Sequence, residues 1–253
     1  MNRRSIAFSF LAGTALLAVL VEPALAQTSS SVTEELIWDL NLNLLYVAVP
    51  ITVLVEGILI YTVLRFRKNE DPLPTRENRR LEITWTIATA IILLVVGVGS
   101  YQVLGNQFVA GHEAAGEQAI EDLEQEPVEI EVVAQRYGWQ FHYEDVPANT
   151  SMELSEENRL TTSGTLYLPT DRPVQLEVTS TDWIHSFHAP DLGLKADALP
   201  GQHNRLLTQI NDEGGYQLYC AEYCGFGHSN MLGTIQVMSQ DDFQDQLESE
   251  QTS

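Results

Sequence analysis

The segment Cys220-Ala-Glu-Tyr-Cys224-Gly-Phe-Gly-His228-Ser-Asn-Met231 contains both cysteines of the chain. It follows a strand-forming run at 216–219, and its two glycines favour a loop over a helix. A loop lets both sulfur atoms turn toward one point. Thiolate, imidazole and thioether are ligands that copper prefers, whereas a structural zinc site does not use methionine. The segment therefore predicts a copper site on a loop between two strands.

Each residue of this segment also has an ordinary explanation. Cysteine pairs in exported proteins often form disulfides. A single histidine is often a surface residue, and a single methionine often belongs to a core. These explanations do not account for the joint spacing of Cys224, His228 and Met231. We therefore favour the metal site.

Two thiolates that bridge two copper ions would need a second histidine from elsewhere in the chain. The candidates are His112, His142, His185, His188 and His203. His185 has the best context, because it follows a strongly β-forming segment and because loops from distant strands meet at one end of a sandwich. His188 competes with it, and the pattern alone leaves the two close to even.

The residues around the segment predict a β-sandwich or barrel. Residues 128–132 alternate between apolar and polar side chains, as a half-buried strand does. Further short strands, separated by Gly and Pro turn signals, are predicted at 165–168, 174–178, 206–210, 216–219 and 234–238. We assign 128–240 to this β domain and 241–253 to an acidic tail.

Two apolar segments precede the β domain. Residues 42–64 and 83–104 are each long enough to cross a bilayer at about 1.5 Å per residue. The loop between them, 65–82, contains six of the 13 basic residues of the chain. The positive-inside rule places that loop in the cytoplasm. The hairpin at 42–104 therefore puts residues 27–41 and the β domain on the outer face of the cell membrane.

Three further features complete this organisation. Residues 1–26 resemble a secretory signal peptide, with an uncleaved third membrane helix as the alternative. Residues 105–127 are polar and acidic, which predicts a tether. Glu56 lies within the first apolar segment, where a single acid is costly. We therefore expect Glu56 to face a protein partner or water, and we favour a structural hydrogen bond to a neighbouring helix over a proton-relay role.

The chain is strongly acidic, with 35 acidic residues, 13 basic residues and a formal net charge of −22. Such a surface repels phosphate groups, which excludes nucleic acid as a partner. The composition fits either a very soluble surface or adaptation to high salt. In 1 M salt, screening over about 3 Å makes the self-repulsion tolerable. We favour an origin in a salt-adapted organism.

These motifs resemble those of subunit II of the haem–copper cytochrome oxidases. The resemblance covers nearly the whole chain and implies a membrane-anchored, cupredoxin-like β-sandwich with the dinuclear copper centre CuA. The motifs that carry it are Cys220-x-Glu222-x-Cys224-Gly-x-Gly-His228-x-x-Met231, Asp182-x-x-His185-Ser and Asp191-Leu-Gly-Leu-Lys195-Ala-Asp197-Ala-x-Pro200-Gly201. The position of the upstream histidine ligand of the family matches His185 and not His188.

The resemblance implies a role for each matching residue. The implied copper ligands are the bridging thiolates of Cys220 and Cys224, the imidazoles of His185 and His228, the weak axial sulfur of Met231 and the main-chain carbonyl of Glu222. In the family, the side chain matching Glu222 helps to hold magnesium at the interface with the catalytic subunit. Glu82 matches the acid at the entrance of a proton channel of that subunit, with a solvated interfacial acid as the alternative.

The electron-entry surface departs from the family pattern. The family usually has an aromatic run whose first tryptophan receives electrons from cytochrome c. Here that position is Tyr137, and only Trp139 matches. We expect Tyr137 and Trp139 at this surface. Because high salt would screen the steering of a basic cytochrome c, a small blue-copper protein is also a plausible donor.

The resemblance implies the electron-entry subunit of a respiratory terminal oxidase. Electrons from the donor would pass through CuA to haem in subunit I, which reduces oxygen to water; this chain alone would not. The main alternative is a membrane-anchored copper-delivery protein, which would show a thioredoxin-like βαβ pattern. A second alternative is a quinol-oxidase subunit II, which would lack the copper ligands. A third is the copper domain of nitrous oxide reductase, which would come with a large second catalytic domain.

Overall fold

The computed structural model describes residues 29–71, 74, 76–109, 123, 125–145 and 159–251. The predicted signal peptide at 1–26, His112 and most of the predicted tether at 105–127 lie outside these residues. The elements are, in chain order, α1 (Val32–Phe66), α2 (Arg79–Leu104), β1 (Val128–Gln135), β2 (Gly138–Asp145), β3 (Leu160–Ser163), β4 (Thr165–Pro169), β5 (Pro173–Ser180), β6 (His185–Ala189), β7 (Leu194–Ala198), β8 (Asn204–Gln209), β9 (Gly214–Cys220), β10 (Leu232–Met238) and α3 (Gln240–Gln251).

Helices α1 and α2 are both long and apolar enough to cross a membrane. Helix α1 has 35 residues and begins well before the predicted span at 42–64. At about 1.5 Å per residue it is longer than the hydrocarbon core of a bilayer, which is about 30 Å thick. The first turns of α1 therefore extend beyond the membrane and reach the β domain.

Hydrogen bonds around Ser31 fix the start of α1 against the β domain. The Ser31 hydroxyl accepts from the Glu34 amide at 3.1 Å, and the Glu34 carboxylate accepts from the Ser30 amide at 2.9 Å. This Ser-x-x-Glu pattern satisfies amides that a helix N-terminus leaves unpaired. The same Ser31 hydroxyl donates to the Leu192 carbonyl at 2.7 Å, which connects the helix to the loop after β6.

Glu56 lies on the side of α1 that faces away from α2. Val47 lines the groove between the two helices, and Glu56 follows it by nine residues. At 3.6 residues per turn, that separation is about half a turn around the helix axis. Within the described part of the chain, the hairpin therefore gives Glu56 no partner from α2, and a partner from another protein stays a prediction.

Ten strands form two five-stranded sheets. One sheet has the order β3-β2-β1-β5-β8 and the other β4-β10-β9-β6-β7. Neighbouring strands are antiparallel except for the parallel pairs β1–β5 and β4–β10. The apolar side chains between the sheets are almost fully buried, and Trp139 packs edge-on against Phe187 across the interface at 5.9 Å between ring centroids. The predicted fold class, a membrane-anchored cupredoxin-like β-sandwich, is confirmed.

Five of the six predicted strand runs lie within β1, β4, β5, β9 and β10, and the run 206–210 extends one residue past β8. Strands β2, β3, β6 and β7 were not predicted. The C-terminal residues also differ from a simple acidic tail at 241–253. Helix α3 forms there, because Phe243 and Leu247, four residues apart, lie on one helix face and are buried against the sandwich.

Candidate metal centre

The loop from Cys220 to Met231 is closed at its base by main-chain hydrogen bonds. Cys220 ends β9, and its amide donates to the Met231 carbonyl just before β10 begins. The next amide, of Ala221, donates to the Ser186 carbonyl on β6 at 3.0 Å. Strand β6 also pairs with β9, so that Phe187 lies opposite Cys220. This pairing brings His185, at the start of β6, beside the cysteine loop.

The predicted side-chain ligands converge at this end of the sandwich. Cys220 Sγ lies 3.8 Å from His185 Nδ1, 3.9 Å from Cys224 Sγ and 3.1 Å from the Glu222 carbonyl oxygen. Cys224 Sγ lies 3.7 Å from His228 Nδ1 and 3.8 Å from Met231 Sδ. His185, Cys220, Cys224 and Met231 are all buried. Both cysteines are free thiols, so the alternative explanation of a disulfide does not hold in this structure.

The hydrogen bonds of His185 fix which of its nitrogens faces the cysteines. His185 Nε2 lies 2.9 Å from Asp182 Oδ1, so a proton on Nε2 is donated to the carboxylate. Nδ1 is then left with a lone pair that points toward Cys220. The other carboxylate oxygen of Asp182 accepts from the Arg136 amide and from Arg136 Nε, both at 3.0 Å. Asp182 therefore connects the buried imidazole to the turn that follows β1.

Two groups at the site have shifted pKa values. Desolvation raises the pKa of the Asp182 carboxyl, but hydrogen bonds from His185 and Arg136 outweigh it and lower the pKa to about 2. Burial, and then the neighbouring Cys220, raise the pKa of the Cys224 thiol to about 11. At neutral pH, Asp182 is therefore ionised, and Cys224 keeps its proton unless a cation replaces it.

The described histidines other than His185 and His228 lie away from the two thiols. His188 Nδ1 faces the Leu194 carbonyl at 3.0 Å, and its ring packs edge-on against Tyr219. His142 Nδ1 faces the Thr161 hydroxyl at 2.7 Å on the other sheet. His203 lies between two carboxylates, with Nδ1 3.5 Å from Glu177. Of the two competing residues, the structure thus brings His185, and not His188, to the cysteines.

The two predicted electron-entry residues occupy different environments. Tyr137 is half-exposed, and its ring lies directly on the ligand loop: a Cβ on Gly227 would stand 2.4 Å from Tyr137 Cδ2. Trp139 is buried between the sheets, and its indole Nε1 has no hydrogen-bond partner among the described residues. A donor protein can therefore touch Tyr137 but not Trp139.

Two acidic residues carry the remaining predicted roles. Glu222 has an exposed side chain beside the thiols, whereas its carbonyl oxygen faces Cys220. Glu82 lies in the first turn of α2, at the end that adjoins the basic loop, and is exposed. Neither of these two carboxylates forms an ion pair with a charged side chain among the described residues.

The donor set fits a copper centre. Two thiolates, two imidazole nitrogens, one thioether and one carbonyl oxygen surround one buried point, which matches the ligand preference of copper rather than that of zinc or magnesium. The ligand atoms of His185, Cys220 and Cys224 all lie within 4.8 Å of one another. None of the described residues of the membrane hairpin belongs to this group.

Sequence reasoning assigned no role to three of the residues found at this end. Asp182, Arg136 and Trp183 form one contact group, in which the Arg136 guanidinium lies 5.3 Å from the centroid of the Trp183 ring. The Asp-x-x-His spacing was visible in the sequence, but the pairing with Arg136, 46 residues away, depends on the fold.

Fold and site together define a membrane-anchored cupredoxin-like protein with a cysteine-rich copper site, and the comparisons with known proteins agree. The sequence model for the periplasmic domain of cytochrome c oxidase subunit II matches residues 129–238. The model for its transmembrane domain matches residues 20–103. The two matches together cover more than half of the chain, which belongs to the cytochrome c oxidase subunit II family.

Curated relatives support this assignment. The probable cytochrome c oxidase subunit 2 of Rickettsia conorii is 31% identical over 211 residues, which are 79% of this chain and 63% of the relative. The protein of the same name from Rickettsia bellii is 28% identical, over 79% of this chain and 74% of the relative. Cytochrome c oxidase subunit 2 of Cereibacter sphaeroides is 27% identical, over 87% of this chain and 78% of the relative.

Two solved structures are also similar. The periplasmic domain of subunit II of cytochrome oxidase from Bradyrhizobium japonicum is 21% identical with a TM-score of 0.43, and the match covers 49% of this chain and 94% of that one. A chain of a haem–copper terminal oxidase dimer is 20% identical with a TM-score of 0.40, over 63% of this chain and all of that one. The family makes this chain a membrane-bound subunit of an oxidoreductase complex, with subunit I as its partner.

Proposed function

We propose that this chain is the electron-entry subunit of a respiratory terminal oxidase. Its copper ligands are the side chains of His185, Cys220, Cys224, His228 and Met231 and the carbonyl of Glu222. Bound there, copper in a CuA centre supplies a carrier for single electrons. The oxidase as a whole reduces oxygen to water at subunit I.

One observation carries this proposal: five soft or borderline ligand side chains lie within 3.7–3.9 Å of a neighbour at one mostly buried point. Burial excludes water from the ligands, and two strands joined by main-chain hydrogen bonds hold them in a fixed arrangement. A rigid ligand set changes little when a metal gains or loses one electron, so little energy is spent on reorganisation. The hydrogen bond from His185 to Asp182 adds an outer contact that orients one imidazole.

The electron donor docks on the outer face of the β domain. We infer that it is a small electron-transfer protein, either a c-type cytochrome or a blue-copper protein. Tyr137 belongs to the surface that it contacts, because the ring is half-exposed and lies on the ligand loop. Trp139 supports that surface from within the core, where it packs against Phe187.

Two acidic residues serve the contact with subunit I. The exposed carboxylate of Glu222 lies beside the copper ligands and is free to reach a magnesium ion shared across the subunit interface. Glu82 lies at the cytoplasmic end of α2 and takes the position of a proton-channel entrance acid. Both roles require α1 and α2 to cross the membrane as a hairpin with the basic loop in the cytoplasm.

The copper-delivery alternative is disfavoured by the fold. After residue 128, the described elements are ten strands in two sheets followed by one helix, and none of them forms a βαβ unit of a thioredoxin-like domain. The additional methionine ligand is likewise more than a Cys-x-x-x-Cys delivery site needs. We therefore retain electron entry as the function.

The oxidase complex provides the test of this proposal. Replacing Cys224 by Ser removes a thiolate with little change in size, and we expect oxygen uptake driven by a reduced donor to fall at least 100-fold. The haem spectrum of co-purified subunit I serves as the control for assembly and should remain unchanged. Normal oxygen uptake by the assembled Cys224→Ser complex would contradict the proposed function.

A further inference from the structure

Trp183 is exposed on the outer surface two residues before a copper ligand. Its side chain is 52% exposed, although tryptophan is highly buried on average in folded proteins. The next two residues are Ile184, also exposed, and His185, which is fully buried at the cysteines. An exposed indole ring and a proposed copper ligand thus lie within three consecutive residues.

Tyr223 and Phe226 of the ligand loop are also exposed, but Tyr137, the residue expected from the resemblance, is already used for packing. A Cβ on Gly225 would stand 2.6 Å from the Tyr137 hydroxyl oxygen, and a Cβ on Gly227 would stand 2.4 Å from its ring. Tyr137 therefore covers the two glycines of the ligand loop and leaves them no room for a side chain. This contact supports the loop. Trp183 instead stays half-exposed, with the Arg136 guanidinium 5.3 Å from the centroid of its ring.

Two routes connect Trp183 to the ligand His185. One follows the main chain through Ile184. The other passes from Trp183 to the adjacent Asp182, whose carboxylate is hydrogen-bonded to His185 Nε2 at 2.9 Å. Covalent bonds and short hydrogen bonds transmit electronic coupling better than van der Waals gaps do. The indole ring is thus well coupled to the buried imidazole.

The charges next to the ring cancel each other. Arg136 lies over the indole and forms an ion pair with Asp182 at 3.0 Å. These two groups therefore add no net charge beside the indole ring, in a chain whose formal net charge is −22. Aromatic side chains next to arginine are typical of the residues that dominate protein–protein binding. The surface fits a partner that presents an apolar patch around its own metal.

We propose that Trp183 is the main contact residue for the electron donor, and that Tyr137, at the edge of the same surface, chiefly supports the ligand loop. This inference rests on the proposed electron-entry function. One electron leaves the reduced metal of the donor, which is oxidised, and arrives at the copper centre, which is reduced. Trp183 remains neutral and provides contact area and electronic coupling. No proton or bond changes in this step.

The first test measures binding to the copper-free full chain in detergent. The probe is zinc-substituted mitochondrial cytochrome c, which is redox-inactive in the dark. Trp183→Ala should weaken binding about tenfold, and Trp183→Phe should restore most of the affinity. Ile184→Ala is the matched control, since Ile184 is similarly exposed, and it should change binding less than threefold. The loss should persist at high salt, because an apolar contact is not screened. Unchanged binding by Trp183→Ala would overturn the inference.

The second test measures reduction of the copper-loaded chain by reduced mitochondrial cytochrome c in a stopped-flow experiment. Trp183→Ala should slow reduction at least tenfold, while its copper spectrum and its reduction by dithionite stay unchanged. Tyr137→Leu should instead alter the copper spectrum or copper retention. The inference is overturned if Tyr137→Leu or Phe226→Ala slows reduction with a normal spectrum and Trp183→Ala does not. If neither the unchanged chain nor any of the variants binds copper, the proposed function itself is wrong.

Discussion

At the residue scale, a short loop supplies four of the five side-chain ligands, and the Asp182 carboxylate orients the fifth, His185, through a hydrogen bond of 2.9 Å. The Cys, Cys, His, Met spacing predicts a copper loop, because four ligands of three types that copper prefers lie within one short segment. The choice of His185 over His188 needed the family resemblance, and the strand pairing then explains it. The contacts of Asp182 with His185 and Arg136 depend on the shape of two loops and could not be derived from spacing.

Asp182 should matter for copper affinity although it is not a ligand. Asp182→Ala removes the carboxylate that accepts the His185 Nε2 proton at 2.9 Å and leaves the buried imidazole without its orienting partner. Loss of such an outer contact typically weakens metal binding about 10- to 100-fold. Competition titration with a copper chelator measures the effect. Asp212→Asn, an exposed acid at a distant turn, is the control, and equal affinities for both variants would contradict this role.

Met231 should tune the centre rather than hold the fold. Its sulfur lies 3.8 Å from Cys224 Sγ, and its side chain is fully buried. Met231→Leu keeps the volume and apolar character, so the unfolding midpoint should change little. Loss of the thioether should shift the reduction potential or reduce copper retention, as measured by redox titration and metal analysis. An unchanged potential together with full copper content would exclude Met231 as a ligand.

At the element scale, the sequence predicted strands whose side chains alternate between apolar and polar. It did not predict strands that carry residues of the site, such as β2 and β6. The runs in β1 and β10 alternate clearly, whereas β2 contains the aromatic run and β6 is a five-residue strand with two histidines. Helix α3 looked like a solvated tail because acids outnumber its two buried apolar residues. The contact between the start of α1 and the β domain was also hidden, because it joins residues about 160 positions apart.

Gly193 tests that contact between α1 and the β domain. It has a φ of +65°, and a Cβ there would stand 3.2 Å from both the amide nitrogen and Cα of Glu34. Gly201 provides a matched control, because its φ is +75° and nothing lies within 4 Å of a Cβ. Both Ala variants lose about 1–2 kcal/mol from the left-handed backbone, and Gly193→Ala should lose about 1–3 kcal/mol more from the close contact.

Denaturant unfolding of the full chain in detergent measures the two glycine variants. The expected result is a clearly lower unfolding free energy for Gly193→Ala than for Gly201→Ala, with the same dependence on denaturant. Equal losses would mean that the packing of Glu34 against the loop contributes nothing to stability. The hydrogen bonds from Ser31 to Leu192 and from the Asn211 amide to the Ser30 carbonyl would then maintain the contact.

At the scale of the whole molecule, composition predicted properties of the surface but not of the site. A formal net charge of −22 implies self-repulsion, which salt relieves by screening. Adaptation to high salt remains a prediction from that composition. The comparisons establish the family, and the family, not the charge, connects the chain to subunit I.

Salt should therefore stabilise the folded chain. Raising NaCl from low concentration to about 1 M shortens the screening length to about 3 Å and weakens repulsion among the acidic side chains. We expect the thermal midpoint in nonionic detergent to rise by several degrees, since about 1 kcal/mol corresponds to roughly 2–4 °C at this size. Sucrose serves as the control for a general exclusion effect. A flat or falling midpoint in NaCl would argue against salt adaptation.

The most direct measurement is the electron paramagnetic resonance spectrum of the full chain after copper loading, together with its copper content. The account predicts about two copper ions per chain and one unpaired electron shared by both nuclei, with the signal lost in Cys220→Ser. A single copper ion with the spectrum of an ordinary mononuclear site would contradict the dinuclear centre and favour copper delivery. No bound copper, with Cys220 and Cys224 joined in a disulfide, would leave only a structural role for the loop.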